Sequence, residues 1–179
     1  WQHEGRRLKV SINLSAWQVR QPDFVERVRH TLRRHGADPH LLVCEFTESV
    51  AMEDVLATQR VIDALEAMGV RLSIDDFGTG YSSLAYLWRF PFDKVKIDRA
   101  FTQHLGRDPK VDLIVRSIIM LAHSLDIRVN AEGVETTSQM ATLQAHGCDE
   151  LQGFLLGRPG PLAGLTHARH PDSVGFGAP

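Results

Sequence analysis

The segment Ile74-Asp75-Asp76-Phe77-Gly78-Thr79-Gly80 is the starting point for the fold, because a short apolar run ends there in two adjacent carboxylates and a glycine-bearing turn. Two neighbouring carboxylates repel each other and lose hydration at a strand end, so a cation commonly holds them. An exposed turn in which an aspartate caps the next helix explains this segment alone equally well. The other segments of the sequence are needed to distinguish a metal site from a helix cap here.

The run before Asp75 is one of six short apolar runs, each followed by a longer stretch of helical periodicity. They predict strands at residues 9–14, 41–46, 71–75, 94–97, 128–131 and 150–154. Helices are predicted at residues 23–34, 54–68, 82–89, 111–125 and 138–146. Strands that alternate with helices imply an α/β fold with a parallel sheet covered on both faces, either an open doubly wound sheet or a closed barrel.

Polar residues that can bind a metal recur where the predicted strands end, and this recurrence favours the barrel. Barrel enzymes gather their chemistry on the loops that follow the strands, whereas an open sheet concentrates its ligand at one switch point. The residues at or near such ends are Asn13, Glu45, Asp75, Asp98 and Glu132. We therefore predict a TIM-type (β/α)8 barrel, of which about six βα units are present.

Two glutamates lie at the end of the second predicted strand, and only one of them requires a partner charge or a metal. Glu45 continues the apolar run 41–44, and an acid at the buried end of such a run needs a partner charge or a metal. Glu48 is better explained as a cap or solvated residue before the helix that is predicted to begin near Asp54.

Glu132 directly follows the fifth predicted strand and has two compatible interpretations. It can form a salt bridge with Lys96 on the neighbouring strand, and Lys96 alternates with apolar residues so that it can point into the barrel mouth. A lysine among carboxylates balances their charge and can hold a water or a phosphate oxygen. Asn13 and Gln152 each offer either a neutral oxygen ligand or an ordinary turn hydrogen bond.

The candidate ligands are rich in oxygen, and none of the nine histidines is placed at these strand ends. Hard oxygen ligands favour Mg²⁺ or Mn²⁺ over zinc. Several carboxylates and a lysine at one face of a barrel suit two metal ions that bridge a phosphate ester and activate a water.

The composition excludes some classes of function. With 20 Lys and Arg against 22 Asp and Glu, the chain lacks the basic footprint of a protein that binds DNA or RNA polymers. No apolar run approaches the ~20 residues of a membrane-spanning helix, so no membrane contact is expected from this segment. Cys44 and Cys148 have no metal-ligand spacing, fit a reducing cytosol and are interpreted as core residues.

Six motifs of the chain, in order, resemble the motif series of the EAL family. They are Asn13-Leu14-Ser15, Glu45-Phe46-Thr47-Glu48, Asp75-Asp76-Phe77-Gly78-Thr79-Gly80, Lys96-Ile97-Asp98, Ala131-Glu132-Gly133-Val134-Glu135-Thr136 and Gln152-Gly153-Phe154. The resemblance runs from about residue 9 to residue 159 and covers roughly the last two thirds of that family's domain. It implies a TIM-type barrel that hydrolyses cyclic di-GMP to linear pGpG with Mg²⁺ or Mn²⁺.

The resemblance also implies roles for single residues. Those that match metal ligands are Asn13, Glu45, Asp75 and, for a second metal, Asp76. Glu132 matches the residue assigned as general base or metal ligand, and Lys96 matches the lysine that orients the water. Further active-site positions are matched by Asp98 and Gln152, and acids that support the loop 76–83 are matched by Glu48 and Glu135.

One departure from the family is serious. The chain has no Glu-Ala-Leu segment upstream of Asn13, although the glutamate of that segment is a metal ligand in the family. Six predicted strands and 179 residues also fall short of eight strands and the ~200 to 250 residues of the fold. We expect residues 1–160 to be a partial EAL phosphodiesterase domain and residues 161–179 a C-terminal tail.

Two accounts explain the missing strands. The sequence is a piece of a longer, competent protein, which the retained motifs favour, or it is a truncated domain that has lost metal affinity. The alternatives to a phosphodiesterase are a sensor that binds cyclic di-GMP or a protein partner without turnover, and an unrelated barrel that acts on a phosphorylated metabolite. The resemblance further implies a homodimer formed through the barrel and a cytoplasmic location, with a parent that other domains can tether to a membrane.

Overall fold

The computed structural model describes residues 7–80 and 84–160, and its centre is one sheet of six parallel strands. The strands are β1 Val10–Leu14, β2 Leu42–Thr47, β3 Arg71–Phe77, β4 Lys94–Ile97, β5 Arg128–Ala131 and β6 Glu150–Leu151. Their order in the sheet is their order in the chain. A doubly wound sheet reverses its strand order at a switch point, so this consecutive order is that of a barrel that is incomplete.

Helices connect the strands on the outside of the sheet. They are α1 Ala16–Val19, α2 Phe24–His35, α3 Glu48–Glu53, α4 Val55–Glu66, α5 Leu84–Arg89, α6 Arg99–Thr102, α7 Pro109–Ser124 and α8 Thr137–Ala145, with a 3-10 helix at Pro39–Leu41. The five predicted helices are confirmed as α2, α4, α5, α7 and α8, although residues 82 and 83 of one prediction lie outside the described residues. The short helices α1, α3 and α6 were not predicted, because four to six residues carry too little periodicity.

Local signals in the sequence explain where the longer helices begin and end. Asp54 caps α4 by accepting a hydrogen bond from the backbone N–H of Ala57 at 2.9 Å. Thr136 and Gln139 form a reciprocal capping box at the start of α8. Gly36 ends α2 with a φ of 57°, a left-handed conformation that glycine adopts without strain.

The sheet separates an apolar outer face from a polar inner face. Outward-facing residues that are at most 1% exposed are Leu72, Ile74, Val95, Ile97, Val129 and Ala131. The residues that alternate with them are Ser73, Asp75, Lys96 and Asn130, all buried and all polar. Because side chains alternate along a strand, this pattern buries the apolar set under the helices and turns the polar set toward the barrel interior.

Both cysteines lie in the core, as predicted, and should be chemically inert. Burial, with a contribution from Glu45, raises the pKa of Cys44 to about 12, and burial raises the pKa of Cys148 to about 11. Only the thiolate reacts, so neither thiol should react with Ellman's reagent in the native protein, whereas both should react in denaturant. Rapid labelling of either cysteine under native conditions would contradict this placement.

Two further expectations concern membrane-spanning helices and the C-terminal tail. Among the helices described, none is long and apolar enough to cross a bilayer. The predicted tail 161–179 lies outside the described residues.

Candidate active site

Parallel pairing brings the candidate residues to the carboxyl edge of the sheet. Asn13 on β1 is in register with Glu45 on β2, and Thr47 at the end of β2 is in register with Asp75 on β3. Glu132 follows β5 directly, and its backbone N–H donates to the carbonyl of Ile97 at 3.1 Å. The strand ends thus place these side chains along one edge.

Lys96 lies at the centre of this edge and joins three carboxylates. Its Nζ atom is 2.8 Å from Oε2 of Glu45, 2.8 Å from Oε1 of Glu132 and 3.1 Å from Oδ1 of Asp75. The lysine side chain is only 8% exposed. The ion pair between Lys96 and Glu132 that the sequence suggested is therefore present, and it belongs to a larger buried cluster.

The charged groups of this cluster shift one another's pKa values. Burial alone would lower the pKa of Lys96, but hydrogen bonds to Glu132 and Glu45 and the charge of Asp75 outweigh it, and the pKa is raised. Lys96 therefore stays an ammonium ion at neutral pH. Burial raises the pKa of Glu132, and the charges of Asp75 and Glu45 add to this, although Lys96 acts in the opposite direction.

A bulge in β3 explains how two adjacent aspartates reach the same site. Neighbouring side chains of a regular strand point to opposite faces, but the register between β3 and β4 shifts between Ile74 and Phe77. Within the bulge, Asp76 has a φ of 55°, which is uncommon for a residue other than glycine. The bulge turns the Asp76 carboxylate back toward the side of the sheet that Asp75 faces.

Three carboxylates around the bulge form a group that can hold a cation. Asp75, Asp76 and Glu132 each offer an oxygen, and these oxygens lie within 4.8 Å of one another. Burial raises the pKa of Asp76, and the charges of Asp75 and Asp98 and a hydrogen bond with Asp98 raise it further. Hard oxygen donors at this spacing fit a divalent ion of the Mg²⁺ or Mn²⁺ type.

Glu48 connects α3 to the loop after Asp76. Its side chain is buried, and its Oε2 atom accepts a hydrogen bond from the backbone N–H of Gly78 at 3.3 Å. A Cβ atom on Gly80 would lie 3.5 Å from the Glu48 carboxylate. Glu48 therefore contacts the described part of this loop, and its supporting role stays a prediction because residues 81–83 of the loop lie outside the described residues.

The other candidates lie at the rim. Asp98 caps α6 by accepting from the backbone N–H of Ala100 at 2.7 Å, and it also contacts Asp76. Gln152 is exposed, and its backbone N–H donates to the carbonyl of Ala131 at 2.8 Å.

Two candidates make no side-chain hydrogen bond or ion pair with the cluster in the part of the chain that the structure describes. Asn13 is exposed on β1, and Glu135 is exposed, with its backbone N–H donating to Oε1 of Gln139 at 2.9 Å. Their roles, like those of the other site residues, stay predictions.

Sequence reasoning gave no role to two buried polar residues below the cluster. Oγ of Ser73 and Oδ1 of Asn130 are buried, and neither has a hydrogen-bond partner among the described residues. Nδ2 of Asn130 lies 3.5 Å from Oε1 of Gln152. Their positions two residues before Asp75 and Glu132, on the same faces of β3 and β5, were the signal that could have revealed them.

Fold and site together define a barrel-type βα domain with an acidic, lysine-centred site at the carboxyl ends of its strands. The EAL domain profile matches residues 1–159, and the chain belongs to the EAL domain family.

Known relatives agree with this assignment. The chain is 49% identical over 156 residues to the bifunctional diguanylate cyclase/cyclic di-GMP phosphodiesterase MucR of Pseudomonas aeruginosa. The aligned region covers 87% of this chain and 23% of MucR. The chain thus spans less than a quarter of that relative.

Solved structures are similar over the same region. The PaMucR phosphodiesterase in complex with c-di-GMP superposes with a TM-score of 0.84 at 48% identity, covering 88% of this chain and 64% of that chain. BlrP1 of Klebsiella pneumoniae, in a manganese/cy-diGMP complex, has a TM-score of 0.79 at 36% identity, covering 84% of this chain and 39% of that chain.

Proposed function

We propose that this chain is part of a metal-dependent phosphodiesterase that hydrolyses cyclic di-GMP to linear pGpG. The observation that carries the proposal is the buried group of carboxylates, Glu45, Asp75 and Glu132, around Lys96, with Asp76 turned into the same site by a bulge. The names of its relatives support the substrate, because MucR is a cyclic di-GMP phosphodiesterase and its structure holds that ligand.

The donor set fits a divalent ion, and we assign the ligands accordingly. Asp75, Asp76 and Glu132 supply the grouped oxygens, and Glu45 and Asn13 complete the set from β2 and β1. When bound, Mg²⁺ or Mn²⁺ polarises a phosphate ester and lowers the pKa of a water. We also propose that the site holds two metal ions. A Glu-Ala-Leu segment, which is absent from this chain, would supply a further glutamate ligand.

Other steps of the hydrolysis are assigned to individual residues of the chain. Glu132 takes the proton of the attacking water on its carboxylate, which requires its ionised form. Lys96 positions Glu132 through their 2.8 Å contact and offsets negative charge that develops on the phosphate. Asp98 and Gln152 lie at the rim, where a substrate passes, and Glu48 supports the loop through Gly78.

Divalent-ion affinity should depend on pH. A bound ion requires Asp76 and Glu132 in their ionised forms, and the pKa of each is raised above its ordinary value. Protons therefore compete with the ion as the pH falls through these raised values, and affinity is fully present only above them. Calorimetric Mg²⁺ titrations between about pH 4.5 and pH 8 should show affinity falling at a higher pH than ordinary carboxylates of pKa about 4 would give. An affinity that stays constant down to pH ~4.5 would contradict these shifts.

We further propose a homodimer through the barrel and a cytoplasmic location for this domain. Exposed apolar side chains on α7, Leu113 at 65% and Met120 at 59%, are available for such a contact. Sedimentation of the chain at several concentrations measures the association directly, and a monomer at every concentration would contradict it.

A sensor without turnover is the second candidate function. The observation that favours it is that Lys96 already pairs with three carboxylates of the cluster, so part of their negative charge is balanced without a metal ion. Such a protein would bind cyclic di-GMP and leave it intact.

Hydrolysis assays separate the two functions. Cyclic di-GMP is incubated with this chain, and with a version extended upstream, in Mg²⁺, in Mn²⁺ and after chelation, and the products are separated by chromatography. We expect metal-dependent pGpG from the extended version and little or none from residues 1–179 alone. Ligand binding without product in both forms would support the sensor instead.

A further inference from the structure

A cavity with several basic residues lies at the end of the sheet opposite the acidic cluster. Its volume is about 230 Å³, and its basic lining residues are Lys9, Arg71, Lys94 and Arg128. The last three are the first residues of β3, β4 and β5, and Lys9 directly precedes β1. The amino ends of these parallel strands therefore bring positive charges to one place.

The acids nearby pair with some of these basic side chains. The carboxylate of Asp93 pairs with Arg71 and also accepts a hydrogen bond, at 2.8 Å, from the backbone N–H of the residue after Arg71. Glu150 on β6 is shared by two cations, since it pairs with Lys94 and lies 3.4 Å from a guanidinium nitrogen of Arg128. These pairs orient the basic groups around the cavity.

The acids do not balance all of the positive charge. Asp126 also lines the cavity, so that with Glu150 there are four positive and three negative charges around it. Lys9 forms no ion pair with any residue that the structure describes. The side chains of Arg71 and Arg128 are 50% and 56% exposed, so N–H donors of both remain accessible.

We propose that this cavity binds a small oxyanion, either inorganic phosphate or the phosphate group of a nucleotide. Guanidinium groups bind phosphate oxygens in pairs, and a lysine adds a compact positive charge. The cavity is smaller than the roughly 300 to 1,000 Å³ of most sites for larger organic ligands. It therefore suits a phosphate group better than a whole nucleotide.

This anion site is separate from the proposed active site. Lys94 and Lys96 lie two residues apart on β4, which is a rise of about 6.6 Å. Lys94 belongs to the basic amino end, whereas Lys96 belongs to the acidic cluster at the carboxyl end. Because the protein's own cations hold the anion, its binding can be measured in EDTA and does not depend on the proposed hydrolysis.

The test is a calorimetric titration of the full chain with sodium phosphate, in EDTA and at constant ionic strength, since salt screens exposed charges. UMP and uridine are titrated in parallel to distinguish the free ion from a nucleotide phosphate. Binding of UMP without binding of uridine extends the site to phosphate esters, and binding of phosphate alone restricts it to the free ion.

Three variants and one control examine the assigned residues. Lys9→Gln and Arg128→Gln should each weaken phosphate binding at least about fivefold, which is the effect of one charge about 4 Å away in water. Asp126→Asn should strengthen it by a similar factor, and asparagine tolerates the φ of 58° at this position. Lys110→Gln, on the exposed surface of α7, removes the same charge away from the cavity and should change little.

The signs of these changes decide the proposal. The absence of phosphate binding by the unaltered chain up to millimolar concentrations overturns it. Equal affinity in Lys9→Gln, Arg128→Gln and the Lys110→Gln control overturns it as well, as does weaker binding by Asp126→Asn.

A measurement on the unaltered chain keeps the proposal testable if a variant does not fold. In ¹⁵N-edited spectra, added phosphate should shift the backbone amide signals of residues 71, 94 and 126–128, which surround the cavity. Shifts confined to the carboxyl edge of the sheet overturn the proposal.

Discussion

Replacing Glu132 with glutamine should lower the kcat for cyclic di-GMP by roughly 10²- to 10⁴-fold in the extended version of the protein. Glutamine keeps the shape of the side chain but cannot take a proton, and it loses the negative charge that pairs with Lys96 at 2.8 Å. The change is measured as initial rates of pGpG release at saturating substrate and metal.

Glu66→Gln is the control, because Glu66 is an exposed residue at the end of α4. The same charge is lost there, and the rate should stay near that of the unaltered protein. If Glu132→Gln kept most of the activity with a normal melting temperature, Glu132 would not be the general base.

Replacing Asp75 with asparagine should lower divalent-ion affinity by at least about 10- to 100-fold, and hydrolysis should fall with it. Asp75 is buried, belongs to the grouped oxygens with Asp76 and Glu132, and lies 3.1 Å from Lys96. An amide is a weaker ligand than a carboxylate and leaves the site one negative charge short.

The matched change is Asp63→Asn on the exposed face of α4, where the Asp63 carboxylate accepts a hydrogen bond from the side chain of Gln59, away from the cluster. Mg²⁺ calorimetry on both variants should show the loss in Asp75→Asn alone. Unchanged affinity in Asp75→Asn would remove Asp75 from the ligand set.

The fold was largely predictable because its signals are local. Buried parallel strands read as short apolar runs, and Asp54 and Gly36 mark helix ends in the sequence itself. The choice between a barrel and a doubly wound sheet depends on which strands are neighbours, a long-range property. The consecutive order of six strands decided it, whereas the sequence offered only the recurrence of polar strand ends.

The acids that contact Lys96 were identifiable from the sequence, but the geometry of the cluster was not, and the roles of these residues stay predictions. Glu45, Asp75 and Glu132 stood out as acids at strand ends, and all three contact Lys96. The left-handed backbone of Asp76 is set by the bulge and leaves no mark in the residue types. Glu135 was singled out with the same motif as Glu132, but its side chain is exposed, and the motif alone does not reveal this difference in burial.

The most direct measurement is the location of Mn²⁺ by anomalous scattering in crystals of the extended protein with cyclic di-GMP. We expect an anomalous peak in contact with Asp75, Asp76 and Glu132, at the carboxyl edge of the sheet, beside the phosphate of the ligand. An anomalous peak elsewhere at saturating Mn²⁺ would contradict a metal-dependent phosphodiesterase centred on this cluster.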